Sequence, residues 1–183
     1  MNVAIIVLII VIVLVAVLIA IFNGIITKRN RCDNAWQNID TQLQRRNDLI
    51  PNVVESVKGY MAHEANTLQA LTVARTAISA AASIEEKMEA SNQMSQALSH
   101  LFAVAESYPD LKANTNFLDL QQQLQDSENK ISYARQSFND CVLMYNNAIQ
   151  TFPGSLVASI GGFAPRQGFE ADVLSREVPE VRF

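Results

Sequence analysis

Val3 to Phe22 are twenty consecutive apolar side chains, and beyond them the hydrophobic pattern changes from unbroken to periodic. At about 1.5 Å rise per residue, the first stretch makes a helix roughly 30 Å long, enough to cross a bilayer core. After it, apolar positions recur every three or four residues. One series is Cys32, Trp36, Ile39, Leu43 and Ile50, with Arg46 on the same stripe. The next is Val53 or Val54, Val57, Tyr60 or Met61, Leu68 and Leu71; a third is Ile84, Met88, Leu98, Leu101, Phe102 and Ala105. The cleanest is Phe117, Leu120, Leu124, Ile131, Ala134, Phe138, Cys141 or Val142, Tyr145, Ile149 and Phe152. That period matches the α-helix and gives each helix one face for a shared core.

The pattern predicts an all-α protein with a transmembrane helix over about 3–22, inside an anchor segment 1–27. An antiparallel four-helix bundle follows over 28–152, with helices at about 28–49, 51–81, 84–106 and 115–151. Ser83 and Glu86 have the spacing of a capping box, in which hydroxyl and acid each take a free backbone N–H. Tyr108 before Pro109 is pushed out of the helical region, which ends the third helix. Asn114 or Asn116 can cap the fourth. Asp48 with Pro51 predicts a break, because proline suits the first turn of a new helix. The alternative is a single kinked helix, since the spacing continues almost in phase from Leu43 through Ile50 to Val57. Residues 153–183 read as a segment packed on the bundle, with a short helix near Glu170–Arg176. The alternative reading is an exposed apolar segment that recruits a partner.

Charge orients the anchor. Lys28, Arg29 and Arg31 follow the span, and the positive-inside rule then places the body in the cytoplasm and the N-terminus outside. A cleaved signal peptide normally has a basic leader and a shorter apolar stretch, so a retained anchor is the better reading. Ala16, Ala20 and Gly24 form a stripe of small residues that would allow close helix pairing. Net charge is −4, and beyond residue 50 there are nine basic and fifteen acidic side chains. A phosphate backbone requires the opposite field, so nucleic acid is excluded as a partner. Two cysteines, Cys32 and Cys141, fit a reducing compartment and no disulfide framework.

Catalytic patterns fail on residue count. His63 and His100 are the only histidines. Neither belongs to an HExxH helix or a Glu-x-x-His di-iron unit, and no GxSxG elbow, CxxC pair or phosphate loop occurs. No catalytic, metal or cofactor residues are assigned, and no small-molecule substrate is identified. What remains is a charged and aromatic set: Trp36, Arg45, Arg46, Asp48, Tyr60, His63 and Glu64. It reads as a docking surface, with Arg46 able to fold over the core stripe and pair with an acid on a neighbouring helix. A plain solvated face is the bland alternative.

The residue text itself resembles a known family. Arg29-Asn30, Asn34-Ala35-Trp36, Ile39-Asp40, Gln42-Leu43 and Arg45-Arg46 run into Asp48-Leu49-Ile50-Pro51-Asn52 and Val57-Lys58-Gly59-Tyr60. Further on stand Ala74-Arg75, Ala105-Glu106-Ser107-Tyr108-Pro109-Asp110, Phe117-Leu118, Tyr145-Asn146, Phe152-Pro153 and Val178-Pro179. This is similar to the LemA family of bacterial membrane proteins. The resemblance implies one N-terminal membrane helix, an antiparallel four-helix bundle, residence in the bacterial inner membrane and no established enzymatic activity. Some relatives are associated with magnetosome membranes and others stand beside membrane metalloproteases. The functional expectation is therefore a membrane-anchored scaffold or interaction module. It would contact the lipid bilayer through its first helix and either a second copy or a membrane protein through its body. The alternatives are an adaptor or regulator of a membrane protease, and an unrecognised hydrolase using an acid such as Glu64.

Overall fold

The computed structural model describes residues 3–61 and 63–169. Its regular elements are all helices: α1 Val3–Lys58, α2 Ala65–Ala80, α3 Ile84–Ala105, α4 Pro109–Lys112, α5 Thr115–Gln150 and α6 Gly154–Gly161. Among the described residues, α1 alone is long and apolar enough to cross a membrane, and its most apolar window is 0% buried. A core helix of a soluble domain would be enclosed; this stretch needs lipid for a solvent. The protein is thus all-α, with one membrane-spanning helix near its N-terminus followed by several more.

The break expected at Asp48–Pro51 does not occur. Instead α1 passes through Pro51 and ends at Lys58. The chain turns just after, where Tyr60 N and Met61 N both bond Val57 O at 3.0 and 2.9 Å. The cause is burial. Ile50, Val53 and Val57 are 0–1% exposed, and burying each contributes about 1.5–3 kcal/mol against roughly 3 kcal/mol for an interior proline. Pro51 itself faces outward. Pro51→Ala should therefore stabilise the folded chain by roughly 2–3 kcal/mol, read as a higher urea midpoint in detergent. A lower midpoint would show that the proline supports this helix.

The described residues form two compact units, 3–38 with 134–169, and 39–133. In the second unit, the end of α1 supplies Ile50, Val53, Val57 and Met61 to a core completed by Leu71, Met94, Leu101, Leu111, Phe117 and Leu124. Cross-helix hydrogen bonds set direction. Asn47 donates to Ser79 at 3.2 Å, Thr67 lies 3.4 Å from His100, and Tyr108 donates to Glu64 at 3.1 Å. With Asn114 donating to Tyr60 at 3.2 Å, successive long helices of this unit run antiparallel.

Local chemistry sets two of its helix starts. Ser83 Oγ accepts from Glu86 N at 3.1 Å, while Glu86 Oε2 accepts from Ser83 N at 3.2 Å and Ala82 N at 2.7 Å. Asn114 Oδ1 accepts from Phe117 N at 3.2 Å and caps α5. The Ala82 and Ser83 backbone bonds hold the Glu86 carboxyl below its ordinary pKa. Its contribution is therefore complete above the ordinary carboxylate range and disappears as pH falls through the lowered folded value. Relative to Glu86→Gln, the wild-type chain should lose stability over that acidic interval. Parallel unfolding curves for the two chains across it would contradict the cap's ionic character.

The first unit pairs 3–38 of α1 with 134–150 of α5, closed by α6 and an extended segment. Ile25, Cys32, Phe138, Val142, Tyr145 and Ile149 are buried. Phe152, expected on the buried stripe of α5, is instead 80% exposed. The helix ends at Gln150, two residues earlier, so the period no longer aims that ring inward. The short helix expected near Glu170–Arg176 and the apolar positions Val173, Leu174, Val178, Val181 and Phe183 lie outside the described residues.

Candidate functional site

A cation has been drawn fully into the apolar interior of the second unit. Arg46 is 0% exposed, although it sits on the stripe that carries Leu43, Ile50 and Val53. Two helices answer its guanidinium. From α3, Ser91 Oγ accepts from Nη2 at 2.9 Å, the Ser91 carbonyl accepts from it at 3.1 Å, and Ser95 Oγ accepts from Nη1 at 2.9 Å. From α5, the Glu128 carboxylate forms an ion pair with Nη1. Ser95 Oγ also lies 3.2 Å from a Glu128 oxygen, which can take its proton.

That arrangement meets the requirements of buried charge. An isolated ion costs several kcal/mol to desolvate, so the cation is tolerable only when paired and hydrogen-bonded. Arginine suits the task because its planar fork keeps its charge and reaches several acceptors at once. Glu128 is 38% exposed, so one end of the pair still meets water. The site is a polar clasp joining α1, α3 and α5 within the unit.

Three further residues of the predicted set lie on the surface of that unit. Arg45, Asp48 and His63 are exposed, and Asp48 accepts from Gln44 at 2.8 Å. Tyr60 is 40% exposed and held by Asn114. Glu64 is half-buried and takes the Tyr108 phenol proton. Partial burial first, then the Glu64 carboxylate, raise the Tyr108 phenol pKa. Arg45 and Asp48 therefore share one helix face region, Tyr60 and Glu64 gather where α1 turns into α2, and Arg46 is withdrawn from the surface altogether.

Trp36 belongs to the first unit, as part of an aromatic cluster. Its ring meets Phe138 edge-on at 5.8 Å and stacks on Phe169 at 6.0 Å. Arg135 lies over the other ring contact, 4.7 Å from the Phe169 centroid. Residues 163–169 run as an extended strap along α5, and two asparagines seven residues apart hold it. Asn139 Oδ1 accepts from Phe169 N at 2.7 Å while its amide donates to Phe169 O at 3.1 Å. Asn146 does the same to Arg166 at 2.9 and 2.8 Å. Between them Tyr145 donates to Ala164 O at 3.0 Å. The Arg166 guanidinium then reaches Asp33 at 2.6 Å. The apolar recurrence that includes Phe163 and Phe169 pointed to a packed segment over 153–183, but sequence reasoning assigned no role to the two asparagines.

Lys28, Arg29 and Arg31 lie just beyond the apolar stretch of α1, with Arg29 and Arg31 exposed. Cys32, one position on, is fully buried, and burial pushes its thiol pKa up. Among the described residues, no cluster of three or more His, Cys, Asp or Glu side chains could hold a metal ion.

These features define a class: a membrane-anchored, all-helical protein. The LemA family pattern matches residues 35–183, and the chain belongs to that family. It is similar to the Magnetosome protein MamQ of Magnetospirillum gryphiswaldense, 24% identical over 168 residues, covering 78% of this chain and 62% of that protein. It is also similar to Protein LemA of Metamycoplasma hominis, 26% identical over 140 residues, covering 74% and 63% respectively. The chain thus spans a little over three fifths of the length of these curated relatives.

Proposed function

We infer that this protein is a membrane-tethered interaction module whose body is an antiparallel four-helix bundle, formed by the later part of α1 with α2, α3 and α5. The body stands on the cytoplasmic side of the bacterial inner membrane with the N-terminus outside, a reading supported by Lys28, Arg29 and Arg31 beyond the span. The observation that carries the proposal is that α1 combines two things in one helix. It bears the lipid-solvated stretch and, further on, the exposed Arg45 and Asp48. The proposed contact surface is Arg45, Asp48, Tyr60, His63 and Glu64, with Arg46 buried in the same unit, while Trp36 packs in the aromatic cluster of the first unit. The partner is a membrane protein or a second copy of this chain.

A photo-crosslinking side chain placed at Arg45, Asp48 or His63, in cells at native expression, should yield one reproducible adduct. The same group at Glu89, exposed on α3, should give none of it. Uniform monomer from every position would overturn the reading.

A further inference from the structure

The longest charge-free stretch outside the anchor is residues 141–165, bounded by Asp140 and Arg166. It covers the end of α5, the turn, all of α6 and the start of the strap. Several large apolar side chains on it face outward: Met144 is 55% exposed, Phe152 80%, Leu156 56% and Ile160 89%. Water would make such a surface costly, at about 25 cal/mol per Å² of apolar area. The opposite face of α6, with Gly154, Val157 and Ala158, is buried in the unit.

What α6 packs against decides its surroundings. Val157, Ile160 and Gly161 border a groove with Leu18, Ile19 and Phe22 of α1. Phe22 and Phe163 meet edge-on at 5.5 Å. Those α1 residues belong to the apolar run that ends at Phe22 and lies before the first charge, Lys28. Leu18 stands about 6 Å below Phe22 along the helix axis. An interfacial helix sinks roughly 5–10 Å into the headgroup and acyl boundary. When the run is in the bilayer, α6 beside it is carried to that depth.

We propose that α6 with its flanking turn is a second membrane contact, an interfacial foot whose Phe152, Leu156 and Ile160 side chains lie among lipid acyl chains next to the exit of α1. The occupant of this apolar face is the bilayer, because the face is continuous with the lipid-exposed surface of the anchor. Backbone chemistry fits the same medium, where every polar group needs an internal partner. Ser155 N bonds Thr151 O at 2.9 Å, Leu156 N bonds Pro153 O at 3.3 Å and Phe163 N bonds Ala158 O at 3.0 Å. The hydroxyls of Thr151 and Ser159 spend their protons on Asn147 O and Leu156 O, at 2.7 and 2.9 Å. A lipid-facing foot would restrain rotation and tilt of the anchor relative to the membrane plane. The inference rests on membrane attachment of α1 and goes beyond the partner surface proposed above.

The test uses the full chain in lipid nanodiscs, with Cys141→Ala to remove the one accessible thiol and Cys32 left in its buried place. A nitroxide is attached at Ile160→Cys or Leu156→Cys, with Leu14→Cys as a lipid reference and Asp140→Cys as an aqueous one. At 160 and 156, relaxation by oxygen should exceed relaxation by a water-soluble nickel complex, as at 14, with the order reversed at 140. Nickel dominance at 160 and 156, with 14 still in lipid, would overturn the foot while leaving the anchor intact. Nickel dominance at 14 as well would overturn both. Spin–spin broadening at 160 that vanishes on dilution with unlabelled chain would assign the face to a second copy and overturn the proposal.

Discussion

Replacing Glu128 by Leu should destabilise the folded chain by about 3 kcal/mol, the lower end of the range for stranding one member of a buried ion pair. The low end applies because Glu128 is 38% exposed, whereas the Arg46 left behind is 0% exposed. Ser91 and Ser95 would still accept hydrogen bonds from the guanidinium, but nothing among these would balance its charge. Replacing Arg46 by Met in the same chain should restore most of the loss, since well-packed apolar substitutes for a buried pair are often neutral or better. A double-mutant cycle in urea, on detergent-solubilised full chain, measures the coupling. Independent, additive losses would mean that the clasp contributes nothing as a pair. Arg46→Lys alone should resemble loss of the pair, because an ammonium cannot span Ser91, Ser95 and Glu128 at once.

The second large effect falls in the first unit. Phe138 is 2% exposed and lies edge-on to both Trp36 and Phe169. Phe138→Ala removes a ring from a packed interior and should cost about 3–5 kcal/mol. The readout is built in, since Trp36 is the only tryptophan. Its emission should shift to longer wavelength as water reaches the vacated space, and Phe169 should lose its edge contact. Protease cleavage near Arg166 should become faster as the strap loosens. Unchanged emission and unchanged cleavage would mean that the ring cluster does not hold this segment.

How far the chain could be read from its letters depended on the range of each interaction. The lipid stretch and the apolar stripes are one-dimensional patterns, so the all-helical character was legible from Val3 to Ile149. The Ser83–Glu86 cap is local and was equally legible. Arg46 could be seen on an apolar stripe and expected to pair inward, but its partner Glu128 lies 82 positions away and no spacing rule links them. Pro51 misled for a related reason. A local proline rule was weighed against burial of Ile50, Val53 and Val57, whose partners sit on other helices. Trp36 looked like part of a docking surface because the ring that covers it, Phe169, belongs to a tail without periodicity. Asn139 carried no signal and Asn146 entered only through the family resemblance, since an amide that binds backbone leaves no complementary side chain to recognise.

That last feature sets which changes the tail can accept. The two amides grip main-chain atoms at 166 and 169, so they are indifferent to the identity of the side chains there, yet each demands an N–H. Proline is barred from both positions, while Pro165 is accommodated one step outside the grip. Gly168 is a further restriction: a Cβ there would come within 2.7 Å of Asn139 Oδ1. The tolerated alphabet along 166–169 is therefore broad at Gln167 and narrow at Gly168, while the two gripped residues answer both to the backbone grip and to what their side chains touch, Asp33 for Arg166 and the aromatic cluster for Phe169.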